Sequence, residues 1–130
     1  MADATETILV VEDDIFIRMP IAQYLRDCGY KVIEAQNGKV AIKLAAEHAG
    51  KIDLLLTDMV MPGITGQELA VRLQRDYPTL AVVFMSGYSE HAAMEMANAD
   101  PSVRLMTKPF NRSTVLRAVG EILQSRKKNL

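Results

Sequence analysis

The sequence predicts a doubly wound α/β domain on a five-stranded parallel sheet, and three observations carry that expectation. Short, mainly apolar runs of strand length recur at residues 8–11, 31–35, 52–56, 80–85 and 103–106. Stretches with helical spacing follow each run, so β and α alternate at about 25 residues per unit, a pattern that calls for right-handed crossovers into a parallel sheet. The runs at 8–11, 52–56 and 80–85 show no sustained alternation, which predicts strands buried on both faces beneath helices.

The run at 31–35 differs: Val32 and Ile33 sit between polar residues, as in an edge strand. In the first helical stretch Ile17, Ile21, Leu25 and Cys28 recur every three or four residues, and Gly29 supplies a stop. Asp14 suits its N-cap better than a metal ligand, Cys28 is read as packing, and Pro20 predicts a kink near the first turns. In the second stretch Asn37 is the N-cap, Ala41, Leu44 and Ala45 form the stripe, and Gly50 ends it. The third opens with Thr65 and Glu68 at capping-box spacing, presents Leu69 and Leu73 with Val71 as a further member, and stops before Pro78. Ser89 caps a shorter fourth helix through about residue 97, whose Met94 and Met96 are either core filler or an adaptable partner surface. Asn111 caps the fifth, with Val115, Val119, Ile122 and Leu123 as its stripe. His48 and His91 fall on helices and are expected to face solvent. Gly63 and Gly66 match no phosphate-loop pattern and are read as turn glycines.

With 130 residues, 49% of them hydrophobic, one buried core is expected: a single domain over 1–130, its core at about 7–124 and loose ends at 1–6 and 125–130. The net charge of -1 gives no field that argues for nucleic acid or an anionic membrane. A single cysteine, without a Cys/His cluster, excludes a disulfide scaffold and a structural zinc site. Residues 1–7 carry Asp3 and Glu6 where a signal peptide would be basic, and the longest unbroken apolar run is residues 80–85. A cytoplasmic location follows as the expectation.

Ligands of open parallel sheets bind beyond the carboxyl ends of the strands, where strand order reverses. Each expected end carries polar or charged groups: Glu12, Asp13 and Asp14 after the first, Thr57 and Asp58 after the third, Ser86 and Gly87 after the fourth, and Thr107, Lys108 and Pro109 after the fifth. In the order 2-1-3-4-5, Glu12, Asp13 and Asp58 converge, and carboxylates packed so closely need a cation. Hard oxygen ligands favour Mg²⁺, which keeps positions open for water and phosphate oxygens. Lys108 would be an ill-placed neighbour for Mg²⁺ alone, so a more anionic guest is implied. A phosphoryl group fits, with Lys108 opposing one oxygen, the Ser86 hydroxyl donating to another, and Asp58 as the best candidate nucleophile.

The segments ILVVEDD (8–14), LLLTDMVMPGITG (54–66), VVFMSGY (82–88) and LMTKPF (105–110) together make the chain similar to response-regulator receiver domains over nearly its whole length. The resemblance implies a flavodoxin-like fold with Asp58 as phosphoacceptor. Asp13 and Asp58 would bind Mg²⁺ directly, Val60 would lend its backbone carbonyl, and Glu12 would act through water. Ser86 would be the switch hydroxyl, Lys108 the phosphate-binding lysine, and Lys108–Pro109 a candidate cis peptide. The implied donor is a histidine kinase or histidine phosphotransfer protein, with a further protein as downstream target. Such a chain stands alone or belongs to a longer regulator or hybrid kinase. Phosphorylation would switch a surface on the fourth helix, fifth strand and fifth helix. One position departs from the family: Leu105 stands where an aromatic usually precedes the lysine by three residues, and Tyr88 is the nearby aromatic. Val60 and Tyr88, two residues beyond Asp58 and Ser86, flank the approach of hydrolytic water and are expected to set the lifetime of the phosphorylated state. An aspartyl-nucleophile phosphatase would place D-x-D where VEDDI stands, and a flavin carrier would need a Ser/Thr/Gly-rich phosphate loop after the first strand.

Overall fold

The computed structural model describes residues 6–48, 50–86, 103–107 and 111–128. Five strands, β1 (Thr7–Val11), β2 (Lys31–Ala35), β3 (Leu54–Asp58), β4 (Ala81–Ser86) and β5 (Val103–Thr107), form one sheet in the order β2-β1-β3-β4-β5. All pairings are parallel, and β2 lies at an edge as expected. The expected fourth helix lies outside the described residues.

Side chains alternate across a strand, and here the alternation divides one apolar sheet into two half-cores. Leu9, Val11, Leu55, Val82 and Phe84 face α2 (Gly38–Glu47) and α3 (Gly66–Asp76), where Ala41, Ala45, Leu69 and Leu73 meet them. Ile8, Val10, Leu54, Leu56, Val83 and Met85 face α1 (Ile15–Asp27) and the C-terminal helix (Arg112–Lys128), against Ile21, Leu25, Val115, Val119 and Ile122. Both faces of β1, β3 and β4 are therefore covered, which explains their continuous hydrophobic runs.

The helix starts follow the local chemistry. Asp14 accepts from the Phe16 N–H at 2.9 Å, Asn37 from Val40 at 2.9 Å, and Asn111 from Thr114 at 3.0 Å. Thr65 and Glu68 form the capping box reciprocally, at 3.1 and 3.2 Å. Helix α1 continues through Pro20 to Asp27 and is capped by Cys28, and the chain turns away at Gly29, whose φ of 95° is a left-handed conformation that favours glycine.

Several boundaries differ from the sequence expectation. β3 begins at Leu54, and both β3 and β4 end on polar residues, Asp58 and Ser86. Ladder bonding is made by the backbone and does not stop where apolar side chains stop. Val71 leaves the α3 stripe and is 55% exposed, because at 3.6 residues per turn it lies on the helix face opposite Leu69 and Leu73. His48 is half-buried rather than solvent-facing: it is the C-cap of α2, with Nδ1 2.9 Å from the Leu44 carbonyl. The C-terminal helix runs to Lys128, into the stretch expected as a loose end beyond the core limit at about 124, since helical hydrogen bonds are internal and need no buried partner. Among the described residues no helix is long and apolar enough to cross a membrane.

Candidate functional site

The site is made by strand ends. β1 delivers Glu12 and Asp13, β3 delivers Asp58, and β4 delivers Ser86. Strand order reverses between β1 and β3, which opens a crevice at these carboxyl ends. One ligand oxygen from each of Glu12, Asp13 and Asp58 lies within 4.8 Å of the other two. Glu12 and Asp58 are buried, at 1% and 6% exposure, while Asp13 is open to solvent. At an effective dielectric near 20, two charges at that spacing repel by roughly 3–4 kcal/mol, a cost that a divalent cation reverses. The set consists of hard oxygen donors, two of them withdrawn from water, and it fits such a cation.

The backbone around each carboxylate is held. The Glu12 N–H donates to the Ala35 carbonyl at 3.2 Å, and Glu12 Oε2 accepts from the Asp14 N–H at 3.1 Å. Beyond β3, the Met59 N–H donates to the Met85 carbonyl and the Gly66 N–H to the Met59 carbonyl, both at 3.0 Å. Asp58 Oδ1 accepts from the Val60 N–H at 3.3 Å, and Thr57 Oγ1 donates to the Asp58 carbonyl at 3.0 Å. Gly66 is more than the turn glycine expected of it: it opens α3, and a Cβ there would overlap the Asp58 carbonyl oxygen and stand 2.9 Å from Met59 Cα. Glycine is what lets α3 start directly against the end of β3.

Ser86 is 2% exposed and aligns in register with Thr107, the residue before Lys108. Leu105 is half-buried against the half-core that contains Phe84, its register partner. The Val60 side chain is 72% exposed. Lys108, Pro109 and Tyr88 lie outside the described residues, so the structure brings together the acidic cluster and sets Ser86 on the neighbouring strand.

Two features escape sequence reasoning. Arg18 on α1 donates from Nη1 to the Glu12 carbonyl at 2.7 Å and from Nε to Glu34 Oε1 at 3.1 Å. Arg26 holds the other Glu34 oxygen at 3.1 Å. The only sequence signal is that Arg18 and Arg26, two helical turns apart, share a face of α1 while Glu34 stands alone in an otherwise apolar strand core. The second is an apolar patch on the first turns of α1, where Ile15, Phe16 and Met19 are 45%, 87% and 57% exposed.

Fold and site together define a doubly wound domain with an acidic cluster, able to hold a cation, at its topological switch. Residues 8–120 match the response regulator receiver domain, and the protein belongs to that family. It is 34% identical over 118 residues to the sensor kinase CckA of Brucella abortus (strain 2308), covering 91% of this chain and 12% of that protein. It is 32% identical over 116 residues to the response regulator receiver protein CpdR of the same strain, covering 89% of this chain and 95% of that one. A solved receiver domain from the hybrid histidine kinase CckA superposes with a TM-score of 0.77 at 36% identity, covering 91% of this chain and 99% of that one. The chain thus spans a small part of the kinase and nearly all of CpdR. As a family member it is a phosphoacceptor domain of two-component signalling, a class that interacts with histidine kinases or phosphotransfer proteins.

Proposed function

We propose that Asp58 is the phosphoacceptor. A carboxylate oxygen of Asp58 attacks the phosphorus of a partner phosphohistidine; the P–O bond forms as the P–N bond breaks, and the imidazole leaves with the electron pair. The observation that carries this reading is the convergence of Glu12, Asp13 and Asp58 on one crevice, with Asp58 buried at the end of β3 where Gly66 packs against its backbone. Mg²⁺ bound there supplies charge neutralisation on the phosphoryl oxygens. Asp13, Asp58 and the Val60 carbonyl would hold it directly, and Glu12 would act through water. Ser86 donates its hydroxyl to a phosphoryl oxygen, and Lys108 opposes the remaining charge as a point cation. The chain catalyses its own aspartyl phosphorylation and dephosphorylation only.

The donor docks on the exposed Ile15, Phe16 and Met19 of α1, which immediately follow the acidic residues of the pocket. An apolar patch beside a charged crevice suits a protein that inserts one histidine, and the near-zero net charge gives no reason to invoke nucleic acid or membrane. The working unit is a single receiver domain with its core at about 7–124, acting in the cytoplasm. Phosphorylation redirects Ser86, the last residue of β4, and Lys108, which follows β5 in sequence, and so alters the surface of the expected fourth helix, β5 and the C-terminal helix.

Incubation with acetyl phosphate and Mg²⁺ tests the assignment. One phosphoryl group is expected by intact mass, and both EDTA and Asp58→Asn are expected to abolish it. Persistent labelling of Asp58→Asn would move the acceptor elsewhere.

A further inference from the structure

We propose that Arg18 is a positioning residue for the cation pocket, setting the Glu12–Asp13 peptide from outside the acidic cluster, with Glu34 as its anchor. This rests on the reading of that pocket as a Mg²⁺ site. Asp13 is the exposed member of the cluster, so its placement depends on its backbone more than on packing. The Glu12 carbonyl and the Asp13 nitrogen belong to one rigid peptide plane, and fixing the first fixes the second. Arg18 Nη1 makes that fixation at 2.7 Å, in the range of charge-assisted bonds.

The guanidinium can do this because its other edge is held. Its side chain is 13% exposed, and Glu34 Oε1 accepts from Nε at 3.1 Å, which compensates a charge withdrawn from water. Glu34 lies on β2, opposite Val10 in register, and its second oxygen is held by Arg26, which also donates to the Val32 carbonyl at 3.2 Å. Stapling α1 to β2 needs only the Glu34 contacts. The bond to the Glu12 carbonyl adds a link from that staple to the residue that enters the pocket. A lysine carries the charge but not the rigid fork that reaches a carbonyl and a carboxylate in two directions.

The test uses the full chain as parent, Arg18→Lys and Glu34→Gln, titrated with MgCl₂ and followed by calorimetry and by the ¹⁵N amide signals of Asp13 and Asp14. Arg18→Lys is expected to bind Mg²⁺ about tenfold more weakly, the scale at which partners of metal ligands act. Glu34→Gln should weaken it in the same direction by less. In EDTA both variants should already displace the Asp13 and Asp14 amide signals. At saturating Mg²⁺, Arg18→Lys should take phosphate from acetyl phosphate at the parent rate, so the defect lies in the half-saturating Mg²⁺ concentration, whereas general damage to the fold would lower the maximal rate too. An Arg18→Lys protein that melts earlier yet binds Mg²⁺ like the parent would show the arginine to be a staple only. If Arg18→Lys does not fold, Glu34→Gln decides, and parent-like affinity with undisturbed amide signals overturns the proposal. A parent that binds no Mg²⁺ overturns the reading of the pocket itself, and the role of Arg18 with it.

Discussion

Gly66 and Val60 mark the two limits of tolerance around Asp58. At Gly66 a methyl group has no room, because the backbone of Asp58 and Met59 cannot withdraw as a flexible side chain would. Gly66→Ala is therefore expected to lower stability by about 1–3 kcal/mol, the scale of overpacking, and to slow labelling by acetyl phosphate through displacement of Asp58. Denaturant melts paired with intact mass check both parts; a Gly66→Ala protein with parent stability would remove the close approach from the account. Val60, in contrast, has its side chain 72% exposed, and its N–H contacts Asp58 Oδ1 at 3.3 Å. Its methyl groups cannot orient a water, whereas an amide can. Val60→Asn should leave stability within about 0.5 kcal/mol and hasten loss of the phosphoryl group. The acceleration should fall below the ~10²–10⁴ of a true general base, because an amide aligns water without taking its proton. Decay measured after rapid removal of the donor checks this, and an unchanged rate would place control of the lifetime elsewhere.

In α1 the apolar residues fall into two sets. Ile21 and Leu25 are buried against the sheet, while Ile15, Phe16 and Met19 on the first turns remain exposed beside the pocket. Phe16→Ala should leave both stability and acetyl phosphate labelling unchanged, because neither uses the exposed ring. It should weaken transfer from a phosphohistidine protein by fivefold or more, corresponding to the ~1 kcal/mol expected of a contact anchor. Equal transfer rates for the two proteins would remove the patch from the docking surface. The same helix shows where sequence legibility ends. Its cap at Asp14, its stop at Gly29 and its buried face were legible because each depends on neighbours within a turn or two. The strands were legible because both faces are apolar, although their ends were not, since Thr57, Asp58 and Ser86 join the ladder through backbone groups that carry no hydrophobic signal. The acidic residues could be assembled once a strand order was assumed. The Arg18–Glu34–Arg26 network could not, because its partners meet only after α1 has packed on β2, and neither could the approach of Gly66 to Asp58, which is a backbone distance without a sequence pattern.

At the scale of the whole molecule the pocket opposes the fold that builds it. Folding brings Glu12, Asp13 and Asp58 together from two strands and buries two of them, so without a cation the native state contains repulsion that the unfolded chain lacks. Mg²⁺ bound only by the native arrangement should then stabilise it by about 1.4 kcal/mol for each tenfold rise above its dissociation constant. Asp58→Asn removes one of the opposing charges and keeps the Oδ1 acceptor that faces the Val60 N–H. In EDTA at low salt this variant should be more stable than the parent, on the order of 1 kcal/mol, with the difference shrinking as salt screens the exposed part of the cluster. Adding Mg²⁺ should reverse the ranking, since the parent gains the full increment and the variant loses one anionic ligand. Thermal melts of both proteins in EDTA and across a MgCl₂ series check the crossing. A variant less stable than the parent in EDTA, together with a parent melt indifferent to Mg²⁺, would show that the carboxylates do not strain the metal-free fold and that their convergence has another cause.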